Sequence, residues 1–400
     1  MRIFTRLATY RELWSIHNVR WLVIARLLAN VIFYSSVIVR YEASRGLNFT
    51  EMFALESIIS AAAWVFEIPT GVWADQLGYR RILIVGYGLN IASLVIFVTT
   101  SGFWPFACGS VLFGINLACL SGCEDTLIYE SLPRERTIAL GTPAFALLNA
   151  ASSAGFLFGL SSGSFLGMHD PALPVMVSLL PLALAFIATL RLRSGTRPPA
   201  QEHDPAKPLR TRDFLRSALQ LLREQPRMIG LSLLQNAAFV LTNAIFWYNQ
   251  PYFTRSGIAV AWFGPITAAA VGLGMMMILA TPAARRMLGT YGALALSCII
   301  PGIGFIGLAR SSAPVFTVLF VTLVAAGSVW RQPIISAVLN QQIKDGSRAT
   351  TLSVLSFIGT VAGIALNPLI GLAGDFGLGI TGMSLGVCLI LLGFVARMLV

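Results

Sequence analysis

The chain has 400 residues, 56% of them hydrophobic and only 11% charged, against roughly 25% charged in water-soluble domains. Most side chains must therefore face something other than water, and the apolar stretches are too long and too free of period-two alternation for the strands of a β-barrel. The net charge of +11 would suit nucleic acid if it were spread over an exposed face, but its placement along the chain speaks against that partner.

The first residues, MRIFTRLATYRELWSIHNVR, are polar and basic without a cleavable signal pattern and read as a tail that stays in the cytoplasm. Twelve apolar segments follow, each near the roughly 20 residues that a helix needs to cross a bilayer. They lie at 19–41, 52–73, 82–100, 103–128, 142–167, 172–190, 228–249, 262–282, 291–309, 313–339, 351–373 and 378–398. One long polar connection, 191–227, separates the first six from the last six. Within it, Leu209, Phe214, Leu215, Ala218, Leu219 and Leu222 fall broadly on one helical face among arginines, as in a helix lying on an anionic leaflet. The expected class is an all-α membrane protein of twelve transmembrane helices in two pseudo-symmetric six-helix bundles, 1–190 and 228–400.

Arginine placement sets the orientation. Of the 28 basic residues, 22 fall in segments that are cytoplasmic if the N-terminus is inside; Arg40, Arg45, Arg255 and Arg310 fall outside, and Arg26 and Arg331 lie within spans. Both termini are expected in the cytoplasm of a bacterial cell, with the chain in its inner membrane.

Ionisable groups inside spans cost about 2.5–3.5 kcal/mol each on insertion scales, so they pair or line a wet cavity. Span 1 carries Arg26, span 2 Glu56 and Glu67, span 4 Glu124 and Asp125, and span 10 Arg331. Glu56 and Glu67 are eleven residues apart and share a helical face, separated by roughly 16 Å along the axis, as a proton relay would require. In span 7, Asn236 and Asn243 lie on nearly one face with Trp247 a turn further on, a lining able to hydrogen-bond and stack an amphipathic solute. Helix packing is the alternative for each.

Shifting the chain against itself by about 208 residues brings out a weak internal repeat. Thr70, Leu77 and Gly78 meet Thr281, Leu288 and Gly289; Ala154, Gly155 and Gly163 meet Ala362, Gly363 and Gly371; Glu124 overlays Arg331. A parallel repeat of six helices places a pseudo-two-fold axis along the membrane normal, with a solute site near mid-membrane. That favours a carrier over a channel or an enzyme.

The segment EIPTGVWADQLGYRR, Glu67 to Arg81, resembles the signature loop between spans 2 and 3 of the major facilitator superfamily, with Gly71, Ala74, Asp75, Gly78, Arg80 and Arg81 at the expected positions. The resemblance implies that Asp75, Arg80 and Arg81 form a cytoplasmic latch closing in the outward-open state. Gly71 would permit close helix contact, Gly78 a tight turn, and Asp75 an ion pair or a helix N-terminus contact. It also implies a central cavity lined by spans 1, 4, 7 and 10, where Glu124 or Asp125 would pair with Arg331 or Arg26 as an inner gate or a substrate contact. A span-5 glycine and proline motif linked to antiporters is partly present: Gly155, Gly159 and Gly163 fit, while Leu160 and Ser164 replace proline and glycine. A span-4 arginine linked to proton transfer is absent, with Ser110 in its place.

Gly302 to Gly307 spells the dinucleotide fingerprint, but without a strand before it the stretch reads as helix packing. His17, His169 and His203 form no constellation, and Cys108, Cys119, Cys123, Cys298 and Cys388 lack metal-ligand spacing. No metal, cofactor or catalytic residue is expected. The expected function is secondary transport of a small amphipathic solute, exported in exchange for protons, by a monomer whose partners are the solute, protons and lipid. Glu56, Glu67, Glu124 and Asp125 are its proton-carrying candidates, and Arg26, Asn236, Asn243, Trp247 and Arg331 its substrate contacts. Uptake of a small metabolite is the alternative.

Overall fold

The computed structural model describes residues 2–194, 225–342 and 348–399. The surface helix expected at Leu209–Leu222 lies outside them. Among the described residues, twelve helical segments are long and apolar enough to cross a membrane. They are His17–Ser36, Phe49–Leu77, Tyr79–Thr99, Phe103–Ser131, Arg134–Leu166, Ala172–Leu190, Pro226–Arg255, Val260–Ile278, Thr281–Arg310, Pro314–Gln341, Val354–Asp375 and Leu378–Leu399, hereafter spans 1–12. Each overlaps its sequence expectation in order.

The chain divides into two compact units, residues 1–46 with 58–203, and residues 47–57 with 204–400. In the first, span 1 packs on spans 5 and 6, and span 3 on spans 4 and 6. In the second, span 7 packs on span 11, and span 9 on spans 10 and 12. The pairing order is the same in both, as a repeat of six helices requires.

The repeat also shows in where helices break. Spans 1, 4, 7 and 10, the first and fourth of each unit, are each interrupted: at 30–32, at Ser121–Gly122, at Ala244 and at 328–330. Gly78 (φ 90°), between spans 2 and 3, and Gly289 (φ 69°), in the first part of span 9, occupy backbone that glycine adopts freely. A helix starts anew at Tyr79 after the first, and the second kinks the helix Thr281–Arg310.

The sequence places all of 1–190 in one bundle, whereas the opening residues of span 2 group with the second unit. The reason is chemical. Asp375, at the end of span 11, accepts hydrogen bonds from the Phe49 and Thr50 backbone N–H groups (2.8 and 3.1 Å) and from the Thr50 hydroxyl (2.5 Å). The carboxylate thus satisfies donors that a helix leaves open in its first turn. Asn48 and Glu51 complete a reciprocal capping box on the same turn. Phe53 stacks against Tyr248, while Phe49 meets Tyr248 and Phe53 meets Trp247 with tilted rings.

Span 5 approaches span 1 backbone to backbone. A methyl group built on Gly155 would collide with the Leu27 carbonyl oxygen, one on Gly159 would lie 2.5 Å from the Ile32 nitrogen, and one on Gly163 would collide with the Phe33 carbonyl oxygen. These three glycines therefore hold the broken stretch of span 1 by close packing. In span 9, Gly302, Gly304 and Gly307 likewise seat Gly386 and Ile390 of span 12 and Phe320 and Val324 of span 10, in keeping with a packing role for that fingerprint. Gly159→Val should consequently lower the detergent melting temperature of the purified chain by several degrees. Gly71→Ala, where an added methyl meets nothing within 4 Å, should leave it unchanged.

Candidate functional site

Arg26 sits in the last turn of the first helix of span 1, just before the chain leaves helical geometry at Asn30. Asn30 donates from Nδ2 to the Arg26 carbonyl (2.8 Å), and the Phe33 N–H donates to the Ser178 hydroxyl (3.1 Å). Polar groups freed by the interruption thus find partners, as buried backbone must. Span 4 is broken in step. Its first helix ends at Leu120, and a second starts at Cys123 after Gly122 with Glu124 in its first turn, where a carboxylate is favoured. The Ala118 carbonyl, near the end of the first piece, accepts from the Thr70 hydroxyl of span 2 (3.2 Å).

The two breaks bring Arg26 and Glu124 into contact. The Arg26 Nη1 donates to Glu124 Oε2 in an ion pair, with side chains 29% and 3% exposed. Tyr87 of span 3, fully buried, donates its hydroxyl to the other carboxylate oxygen at 3.2 Å. Glu124 is thus held on both oxygens by groups from two other spans. A carboxylate so buried is tolerable only when paired and hydrogen-bonded.

Beside the pair lies a cavity of about 240 Å³, lined by Arg26, Asn30, Asn90, Asn116, Ser152 and Ser178, with Tyr34, Phe113 and several leucines. Asn116 is 1% exposed, and its Oδ1 has no hydrogen-bond partner among the described residues. The Nε of Arg26 is buried and equally without a partner. Buried polar atoms are nearly always satisfied, so a cavity lined by two residues that each carry an unmet one is suited to a polar guest.

The other sequence candidates are distributed differently. Of the partners expected for Glu124, the structure supplies Arg26. Arg331, 2% exposed, donates within its own unit to the Ser297 carbonyl (3.3 Å) and the Thr242 hydroxyl (3.2 Å), and its Nε has no partner among the described residues. Asp125 and Glu67 are exposed and Glu56 is half-buried; among the described residues none of the three forms an ion pair. Asn236 turns its amide back to the Ser232 carbonyl (2.9 Å) and lies against Gly359. Asn243 ends the first helix of span 7, and Trp247 belongs to the next, so their shared face is interrupted at Ala244.

In the signature loop, Gly78 makes the expected turn. Asp75 accepts from the Tyr79 hydroxyl (3.0 Å) in place of the expected ion pair or helix N-terminus. Arg80 donates from Nε to the Leu192 carbonyl (2.5 Å) and from Nη2 to that of Leu190 (3.1 Å), closing the end of span 6 as a cation does at a helix C-terminus. Arg81 is exposed. Gly71 has open space where close contact is expected. Ser110, in the place of the absent span-4 arginine, is fully buried, and its hydroxyl has no partner among the described residues.

Tyr87, Asn90 and Asn116 escape a reading confined to groups charged at neutral pH. Their signal was available: Tyr87 and Asn90 are one turn apart in span 3, and Asn116 is eight residues before Glu124 in an otherwise apolar segment. The same attention to neutral polar side chains that singled out span 7 would have found them.

Residues 20–368 match the family profile described as Major Facilitator Superfamily, and the chain belongs to that superfamily. A relative from Bacillus subtilis (strain 168), the uncharacterized MFS-type transporter YxaM, is 22% identical over 366 residues, covering 86% of each chain. Among solved structures, the nucleoside transporter NupG superposes with a TM-score of 0.78 at 15% identity, over 96% of this chain and 98% of that one. The peptide transporter POT in complex with sulfate gives 0.71 at 15% identity, over 95% and 94%. The protein is thus a secondary transporter of a small molecule, not an enzyme.

If the Arg26–Glu124 contact is the structural core of the site, removing one partner strands the other. Arg26→Gln alone should cost about 3–5 kcal/mol, the range for breaking a buried pair, while Arg26→Gln with Glu124→Gln should recover most of it. Chemical denaturation of the three proteins in detergent checks this.

Proposed function

We propose that this chain carries a small amphipathic organic solute in exchange with, or together with, protons, and that Glu124 is the proton site. The observation that carries the reading is the Arg26–Glu124–Tyr87 triad beside a cavity with amide, hydroxyl and apolar walls. A proton arriving on Glu124 cancels its charge and weakens its hold on Arg26, so proton binding and cavity chemistry are coupled through one guanidinium. Glu56, Glu67 and Asp125 remain accessory proton candidates. Arg331, Asn236, Asn243 and Trp247 are candidates for the second unit's share of solute contacts. The chain sits, in this reading, as a monomer in a bacterial inner membrane with both termini in the cytoplasm, in keeping with the arginine bias of its loops. Asp75, Arg80 and Arg81 act near the cytoplasmic surface as the latch of the family.

Direction depends on the charge of the solute. A freed guanidinium repels a cationic or competes with a neutral guest, which gives exchange and export, the direction expected from the sequence. It attracts an anionic guest, which gives co-transport and uptake. The unpartnered Nε of Arg26 favours the second direction.

Both directions share one test. In proteoliposomes under an imposed pH gradient, solute-dependent proton movement should fall more than tenfold in Glu124→Gln, while solute still equilibrates down its own gradient. Undiminished proton movement in that variant would remove Glu124 from the coupling. A host strain with and without the gene, compared for growth on toxic amphipathic compounds, separates export from uptake.

A further inference from the structure

We propose that the solute is a small monocarboxylate that also bears a hydroxyl or amino donor, its carboxylate seated on Arg26 and its donor on Asn116. This rests on the carrier reading above and names the substrate class of its site.

The guanidinium commits Nη1 to Glu124 and leaves Nε without a hydrogen-bond partner among the described residues, on the edge that Nε shares with Nη2. Those two nitrogens form a fork that matches a carboxylate with two parallel hydrogen bonds, the geometry that makes arginine a carboxylate receptor. On the same lining, the Asn116 Oδ1 can only accept, so it asks for an N–H or O–H on the guest. Asn90, also on the lining, can take either role. A guest with both functions satisfies the orphaned atoms together; a simple amphiphile leaves one of them unmet. The cavity of about 240 Å³ lies below the roughly 300–1,000 Å³ of clefts for drug-sized ligands, which limits the guest to a few carbons.

Charge balance then dictates coupling. Arg26 is already neutralised by Glu124, so a second carboxylate would leave an uncompensated negative charge in an apolar setting. The imbalance is removed when one proton from the aqueous phase binds to the Glu124 carboxylate. The Arg26–Glu124 ion pair then gives way to an ion pair between Arg26 and the guest, with Tyr87 able to stay bonded to the neutral acid. The ionisable groups acting on Glu124 are Arg26 from span 1, Tyr87 from span 3 and its own neighbour Asp125, with Cys123 adjacent in the chain. Of these, Arg26 alone gains from the exchange of partners. One proton accompanies one carboxylate, and transport is co-transport.

The experiment uses the full chain purified in detergent and then in proteoliposomes, with lactate and 3-hydroxybutyrate as probes, propionate as the analogue lacking the donor, and lactamide as the neutral analogue. Lactate or 3-hydroxybutyrate should bind at least tenfold more tightly than propionate or lactamide. Its affinity should fall about tenfold for each pH unit in the range where Glu124 is ionised, the slope of one linked proton. Glu124→Gln should keep the binding and flatten that slope. Arg26→Gln with Glu124→Gln, which strands no charge, should lose the acid by more than a hundredfold while keeping its melting temperature, and Asn116→Ala should erase the preference over propionate. Failure of both hydroxy acids to bind, equal binding of lactamide, or an unchanged slope in Glu124→Gln would each overturn the proposal. If lactamide binds as well as lactate while proton movement still depends on Glu124, the carboxylate falls and the proton-coupled carrier stands. Proton movement independent of Glu124 would end both.

Discussion

A guanidinium and a carboxylate pressed together inside an apolar helix bundle constrain everything around them. Either charge alone in such a place is prohibitive, and even the pair gains little stability over a well-packed apolar substitute. Its presence therefore calls for a use. Arg26 and Glu124 come from spans 1 and 4, Tyr87 from span 3, and all belong to one compact unit. Within that unit the contact is both a structural necessity and a switchable one, since a single proton removes half of it.

The chain prepares this contact by interrupting its helices. Span 1 leaves helical geometry about one turn after Arg26, and span 4 restarts immediately before Glu124. Neither break would hold without support. Gly155, Gly159 and Gly163 bring span 5 against the exposed backbone of span 1, while Ser178 and Thr70 supply hydroxyls to its freed groups and to those of span 4. The glycines that resemble a partial antiporter motif thus have a sufficient mechanical reason to be there. In the second unit, spans 7 and 10 are broken as well, and at the offset of the repeat Arg331 overlays Glu124 of the first. Its partners are neutral, a carbonyl and a hydroxyl, so the two units share a frame and differ in charge.

Architecture was largely legible in the sequence, because hydrophobic length and arginine placement act on whole segments. All twelve spans follow from such signals, while the turn at Gly78 follows from the signature loop it resembles and the packing role of Gly302–Gly307 from the want of a strand before it. The site was only partly legible. Arg26 and Glu124 stood out as costly charges, and Arg26 was among the partners expected for Glu124. Which pairing occurs depends on the rotation of two broken helices, which periodicity cannot fix. Tyr87, Asn90 and Asn116 are uncharged and so carry no penalty large enough to draw notice. The capping of span 2 by Asp375 joins residues more than three hundred positions apart, and no local pattern foretells it. Asp75 shows the converse: a motif position is easily identified, yet its partner here is the nearby Tyr79 hydroxyl.

The most direct measurement is infrared difference spectroscopy of the full chain in bilayers as the bathing pH is lowered. A carboxylic acid C=O band should grow on acidification, shift when Tyr87→Phe removes the hydroxyl on Glu124, and vanish in Glu124→Gln. A titrating band that survives Glu124→Gln unchanged would place the working proton elsewhere and contradict a carrier built around this ion pair.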